Sequence, residues 1–213
     1  TSKQRNRKIA LDEGQEWCER MYDRDVLFSD LKAINPKNPT DNVFRFRYNK
    51  LRSDRSYHLR GEIHISPQAK ARTVVHELGH KVEFHNNNSF GSSINFLKKR
   101  IREAKARGES VRKMRDITGN TRYEHHEIAW QDRFENAYTG KVYTHSGRNT
   151  FRASEIMSMG TEEIFANPWG FFKADREFFE FVVDGLRGRG NWYGSQFTDD
   201  YLSSTIHTSG FTP

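Results

Sequence analysis

Two histidines four residues apart, in V-V-H-E-L-G-H (Val74 to His80), can act together only on a helical backbone, and no other feature constrains the fold of this chain as much. Helical residues at i and i+4 share a face with Cβ atoms about 5–6 Å apart, close enough for both imidazoles to bind one ion. Ser66-Pro67, a capping serine before a proline at the first helical position, predicts where that helix starts. Ala69, Val74, Val75, Leu78 and Val82 then carry an apolar face to about His85, and N-N-N-S-F-G (Asn86 to Gly91) ends it. Gly79 leaves room for another element to come close.

The surrounding chain supplies strands before this helix and further helices after it. Helical spacing marks residues 5 to 22 through Ile9, Leu11, Trp17 and Met21, and a short piece around Val26 to Ile34, before N-P-K-N-P (Asn35 to Pro39) breaks the pattern. Period-two alternation marks Asn42 to Lys50 and Ser56 to Ser66, and the R-S-D-R between them predicts a hairpin of the two. Ile94, Leu97, Ile101 and Ala104 form a narrow apolar seam on a third long helix. Residues 116 to 150 read as irregular, with a tight turn at Tyr138 to Lys141. Helices follow from about Ala153 to Ala166, stopped by Asn167-Pro168, and from Asp175 to Leu186, with Phe178, Phe181, Val182 and Leu186 facing a core.

At 213 residues the chain fits one domain, expected over 1–186, with 187–213 as an extended C-terminal tail rich in Gly, Ser and Thr. The single Cys18 excludes an internal disulfide and any metal site built from several thiolates, and fits a reducing compartment. No apolar run reaches the length of a membrane span and no signal segment is seen, so a cytoplasmic or virion-associated protein is expected. The net charge of +7 attracts polyanions, and Lys98, Lys99, Arg100 and Arg102 on the third helix are the candidate contact. A solvated helix face is the plainer account of the same residues.

Chemistry enters with Glu77. It follows His76 and lies about 100° round the helix, where it reaches the fourth coordination position without ligating. There it can take a proton from a water acidified by Zn²⁺ and hand it to a leaving amine. The order strand then helix, and V-V-H-E-L-G-H itself, resemble the active-site helix of zinc-dependent metallopeptidases of the zincin type. That resemblance implies an α+β fold, zincin-like, with a small antiparallel or mixed sheet packed on the active-site helix and further helices carrying a third ligand. The metzincin extension is excluded, because Glu83 and Asn86 stand where it needs Gly and His. In the gluzincin-like subclass the third ligand is a glutamate on a later helix, and S-E-I-M-S-M-G-T-E-E (Ser154 to Glu163) offers Glu155 and Glu162 seven apart on one face. One can ligate while the other orients a histidine. Glu155 resembles the ligand of E-x-x-S/A-x-G/A segments; Glu162 is the alternative, and His85, His125, His126 or His145 could replace either. Several zincins keep an oxyanion donor shortly before the third-ligand helix, where Tyr138, Tyr143 and His145 stand here, and Tyr143 is the expected group polarising the carbonyl.

Y-T-G-K-V-Y, S-E-I-M-S-M-G-T-E-E-I-F-A-N-P and A-D-R-E-F-F-E-F-V-V-D-G-L-R-G (within Tyr138 to Gly188) resemble the ends of phage or prophage head-morphogenesis, or minor-head, proteins that carry a peptidase-like domain. This resemblance implies a piece of a larger phage-like polypeptide or assembly, which the start at Thr1 also suggests. The expected activity is zinc-dependent endopeptidase action on a protein or peptide. The alternatives are a basic nucleic-acid-binding module whose histidine helix is structural, and a metal-binding domain without turnover.

Overall fold

A computed structural model describes residues 2–27, 45–49, 55–59, 62–145, 148–151 and 153–189. The architecture is mixed α and β. Eight α-helices among the described residues are α1 (Ser2–Met21), α2 (Arg24–Leu27), α3 (Ala71–His85), α4 (Asn87–Ala106), α5 (Met114–Thr118), α6 (Ile156–Ala166), α7 (Pro168–Ala174) and α8 (Arg176–Leu186). The strands are β1 (Arg45–Tyr48), β2 (Tyr57–Leu59), β3 (Glu62–Ile65), β4 (Arg112–Lys113), β5 (Ile128–Ala129), β6 (Thr144–His145) and β7 (Arg148–Phe151). The chain divides into two compact units, one formed by 1–89 with 157–190 and the other by 90–156 with 191–213. The division falls one residue into α6.

In the first unit the sheet has the order β1-β3-β2. The expected hairpin is corrected: β1 pairs β3 in parallel, Arg45 against Glu62, while β2 pairs β3 antiparallel, Leu59 against Glu62. Only Arg60 and Gly61 separate Leu59 from Glu62, the spacing of a two-residue hairpin, so the adjacent slot on β3 goes to β2. The path from β1 to β3 spans about a dozen residues, long enough for a parallel connection. Ile63 and Ile65 are fully buried while Glu62 and His64 alternate to the other face.

The helix carrying the two histidines begins later than its sequence signals suggest. Ser66-Pro67 enters a turn, with Ala69 N–H bonded to Ser66 O at 3.3 Å, and α3 starts at Ala71 behind a Lys70 that provides no side-chain cap. It ends at His85 as expected, but N-N-N-S-F-G only interrupts the chain. Asn86 Oδ1 accepts the Ser89 N–H at 3.0 Å and caps α4, which runs on from Asn87. Val74, Val75 and Leu78 of α3 are fully buried, each worth about 1.5–3 kcal/mol of apolar burial. Gly14 of α1 packs against Val74 of α3, and Leu11 and Cys18 of α1 are buried; Ile9, expected to be apolar contact, is exposed. A Cβ at Gly14 would stand 2.8 Å from Val74 Cβ, so the glycine sets how closely α1 and α3 approach.

Asn167-Pro168 ends α6 and at once starts α7, a helix unforeseen in the sequence: Asn167 Oδ1 accepts the Gly170 N–H at 3.0 Å, and Pro168 occupies the position that tolerates it. Asp175 caps α8 through the Phe178 N–H at 3.1 Å, and Phe178, Phe181, Val182 and Leu186 are buried as expected. The expected tail lies outside the described residues from 190 on, as does the Asn35 to Pro39 break.

In the second unit the apolar seam of α4 is buried, and it takes Arg100 with it. This corrects one expected polyanion contact: Arg100 is 2% exposed, its Nε lies 2.5 Å from Asp132 Oδ2, and its guanidinium sits 4.7 Å from the centre of the Phe134 ring. A pair so far from water is committed to the interior and unavailable to a nucleic acid. Lys98, Lys99 and Arg102 remain half-buried, with Lys99 Nζ 3.4 Å from Glu103. No helix among the described residues is long and apolar enough to cross a membrane.

Candidate metal centre

Two helices of the first unit, α3 and α6, cross where neither has a bulky side chain. A Cβ at Gly79 would lie 2.7 Å from Ser158 Cα and 3.1 Å from Ser158 N. The obstacle is backbone, which cannot swing aside as a side chain could. Alanine would gain about 0.8–1.0 kcal/mol of helix propensity but force the helices apart at about 1–3 kcal/mol. Gly79→Ala is therefore expected to lower the melting temperature by several degrees in a thermal-melting experiment; an unchanged or raised value would contradict the close crossing.

Glu155 immediately precedes the first residue of α6 instead of lying inside a helix from 153, so it does not share a helical face with Glu162 in the way the spacing suggested. Its position nevertheless follows that helix. The ligand atoms of His76, His80 and Glu155 all lie within 4.8 Å of one another. Glu155 is 1% exposed and the two histidines are half-buried, their rings edge to face at 4.8 Å between centroids. This group could hold a metal ion.

The contacts of His76 leave one of its ring nitrogens available to an ion. His76 Nδ1 lies 2.8 Å from Glu162 Oε2, and with its proton there the Nε2 lone pair is left for an ion. Glu162 is itself held by the Arg72 guanidinium. Burial pushes the Glu162 carboxyl up, but the bonds and charges of His76 and Arg72 outweigh it and hold it below its ordinary value. It stays an anion, which suits it to orienting His76. A second carboxylate faces the other ring: Glu83 Oε2 is 3.9 Å from His80 Nδ1, and Glu83 is buried with Oε1 3.4 Å from the Met157 N–H. Sequence reasoning used Glu83 only to exclude a subclass; its i,i+3 relation to His80 was the signal for this role.

Glu77 is 4% exposed, so the one carboxylate of the motif not in the triad is also withdrawn from bulk water, where its electrostatic interactions are strong. Tyr143 belongs to the second unit, as does Glu155, and its hydroxyl donates to Glu155 Oε1. The expected carbonyl-polarising role needs that proton directed at a substrate; here the Glu155 carboxylate receives it. Among the alternative histidines, His125 Nε2 is 2.9 Å from Arg115 Nη1 and His126 is exposed, and neither joins the triad. The side chains of His85 and His145 lie outside the described residues.

No family model matches the chain, and no curated protein or solved structure matches it either.

Proposed function

We propose that this protein is a zinc-dependent endopeptidase of zincin-like fold, with His76, His80 and Glu155 as the metal ligands and Glu77 as the general base. The observation that carries the reading is the convergence of two imidazoles and one carboxylate, with His76 Nδ1 already committed to Glu162. Two histidines and a glutamate are a donor set of catalytic zinc, and three protein ligands leave a fourth position open. A mixed three-stranded sheet next to α3, and a third donor at the head of a later helix, support the same fold.

Bound in that set, zinc supplies Lewis acidity: it brings the pKa of water to about 7 and polarises the scissile carbonyl. The chain's own residues do the rest. His76 and His80 would hold the ion together with Glu155, while Glu162 orients the His76 ring at 2.8 Å and Glu83 lies 3.9 Å from His80 Nδ1. Glu77 accepts the proton of the attacking water as its oxygen bonds to the carbonyl carbon. It then returns that proton to the amine nitrogen as the C–N bond breaks, so acid and base work fall to one carboxylate. A substrate among the proteins of a phage-like assembly is proposed from context alone, since the resemblance of residues 138–188 does not itself supply what such domains cut.

The test uses an unstructured peptide mixture, with products read by mass spectrometry. Zinc-loaded protein is expected to cleave it, a strong chelator to stop cleavage, and added zinc to restore it. Cleavage indifferent to the chelator, or none by fully zinc-loaded protein, would overturn the reading.

A further inference from the structure

We infer that Tyr143 is a positioning residue for the third ligand: its hydroxyl fixes one oxygen of Glu155 so that the other is presented to the ion. The inference rests on the zinc reading above and goes beyond it in assigning how the metal is held.

A terminal carboxylate torsion is broad and two-fold, so a glutamate alone does not define which oxygen ligates. A carboxylate 1% exposed must also be hydrogen-bonded to remain charged. The Tyr143 hydroxyl meets both needs by donating to Glu155 Oε1.

Behind this contact stands a clamp made wholly within the second unit. Tyr138 Oη lies 3.3 Å from Tyr143 Oη. The ammonium of Lys141, itself buried, is 4.6 Å from the centre of the Tyr143 ring and 4.9 Å from that of Tyr138, and it is held 2.5 Å from Glu127 Oε1. A cation over a desolvated aromatic ring is attracted to its face, which favours one setting of the ring. The backbone is fixed as well: Trp130 N–H bonds to Gly140 O at 2.9 Å and Val142 N–H to Ile128 O at 3.0 Å, tying Lys141 to Tyr143 alongside β5. A Cβ at Gly140 would lie 1.8 Å from Trp130 O, so only glycine permits that approach. The tyrosine is thus delivered to Glu155 by a rigid ladder.

The experiment compares zinc affinity, by competition with a chromophoric chelator, and kcat at saturating zinc for wild type and Tyr143→Phe, with melting of the metal-free proteins as the folding control. A positioning role predicts zinc affinity about 10–100-fold weaker in Tyr143→Phe, with kcat largely retained once zinc is saturating. Unchanged affinity with a collapsed kcat would overturn the inference and return Tyr143 to carbonyl polarisation. The same two readings decide on Tyr143→His should the phenylalanine variant not fold. A wild type that binds no zinc overturns the zinc reading itself, and this inference with it.

Discussion

Glu77→Gln is expected to keep its zinc and lose about 10²–10⁴ in kcat. The amide has the size of the carboxylate and leaves the donors of His76, His80 and Glu155 untouched, so the metal set is intact. What the amide cannot do is accept a proton. Because the proposed scheme assigns both proton transfers to this carboxylate, no second group takes over half of the work. Removing one negative charge from a site 4% exposed also relieves desolvation, so the fold should be no less stable. Peptide cleavage and zinc content measured on the same preparation check this. Cleavage at the wild-type rate would remove Glu77 from the mechanism, and loss of zinc together with cleavage would make it a ligand or a structural residue.

The parts of this site that could be read from sequence are those fixed by local geometry. The i,i+4 spacing of His76 and His80, the apolar run of Val74, Val75 and Leu78, and the small Gly79 all depend on a single helix, and the structure keeps them together. The same holds for the buried stripe of α8. Boundaries were harder, because competing local signals look alike. Ser66-Pro67 serves a turn as well as a helix start, and Asn167-Pro168 ends one helix by beginning the next.

What tertiary contacts decide could not be read at all. β1 pairs in parallel with the side of β3 that the antiparallel β2 leaves open. The burial of Arg100 depends on Asp132, far along the chain, arriving at its guanidinium. The seven-residue spacing predicts Glu155 and Glu162 on one helical face, but where each side chain stands follows from where α6 begins. Starting at Ile156, it leaves Glu155 ahead of the helix and puts Glu162 against His76. The placing of Glu83 beside His80 is hard to read from sequence, because a glutamate near a helix end is ordinary until the ring it faces is known to matter.

His80→Ala should have the second large effect, on the metal itself. Apparent binding free energies of about 10–16 kcal/mol for four-ligand zinc sites apportion about 3 kcal/mol or more to each ligand, so one lost imidazole weakens binding at least about a hundredfold. The alanine leaves Glu83 without the ring it faces, but the apolar face of α3 is unaltered and the helix should persist. Circular dichroism of the variant should therefore match that of the wild type, while dialysis strips it of metal that the wild type retains.

The most direct measurement is zinc per chain by elemental analysis, after dialysis of wild type and His80→Ala against metal-free buffer. Stoichiometric zinc in the wild type and almost none in the folded variant is the predicted result; zinc absent from the wild type, or equal in both proteins, would contradict a metal held by His76, His80 and Glu155.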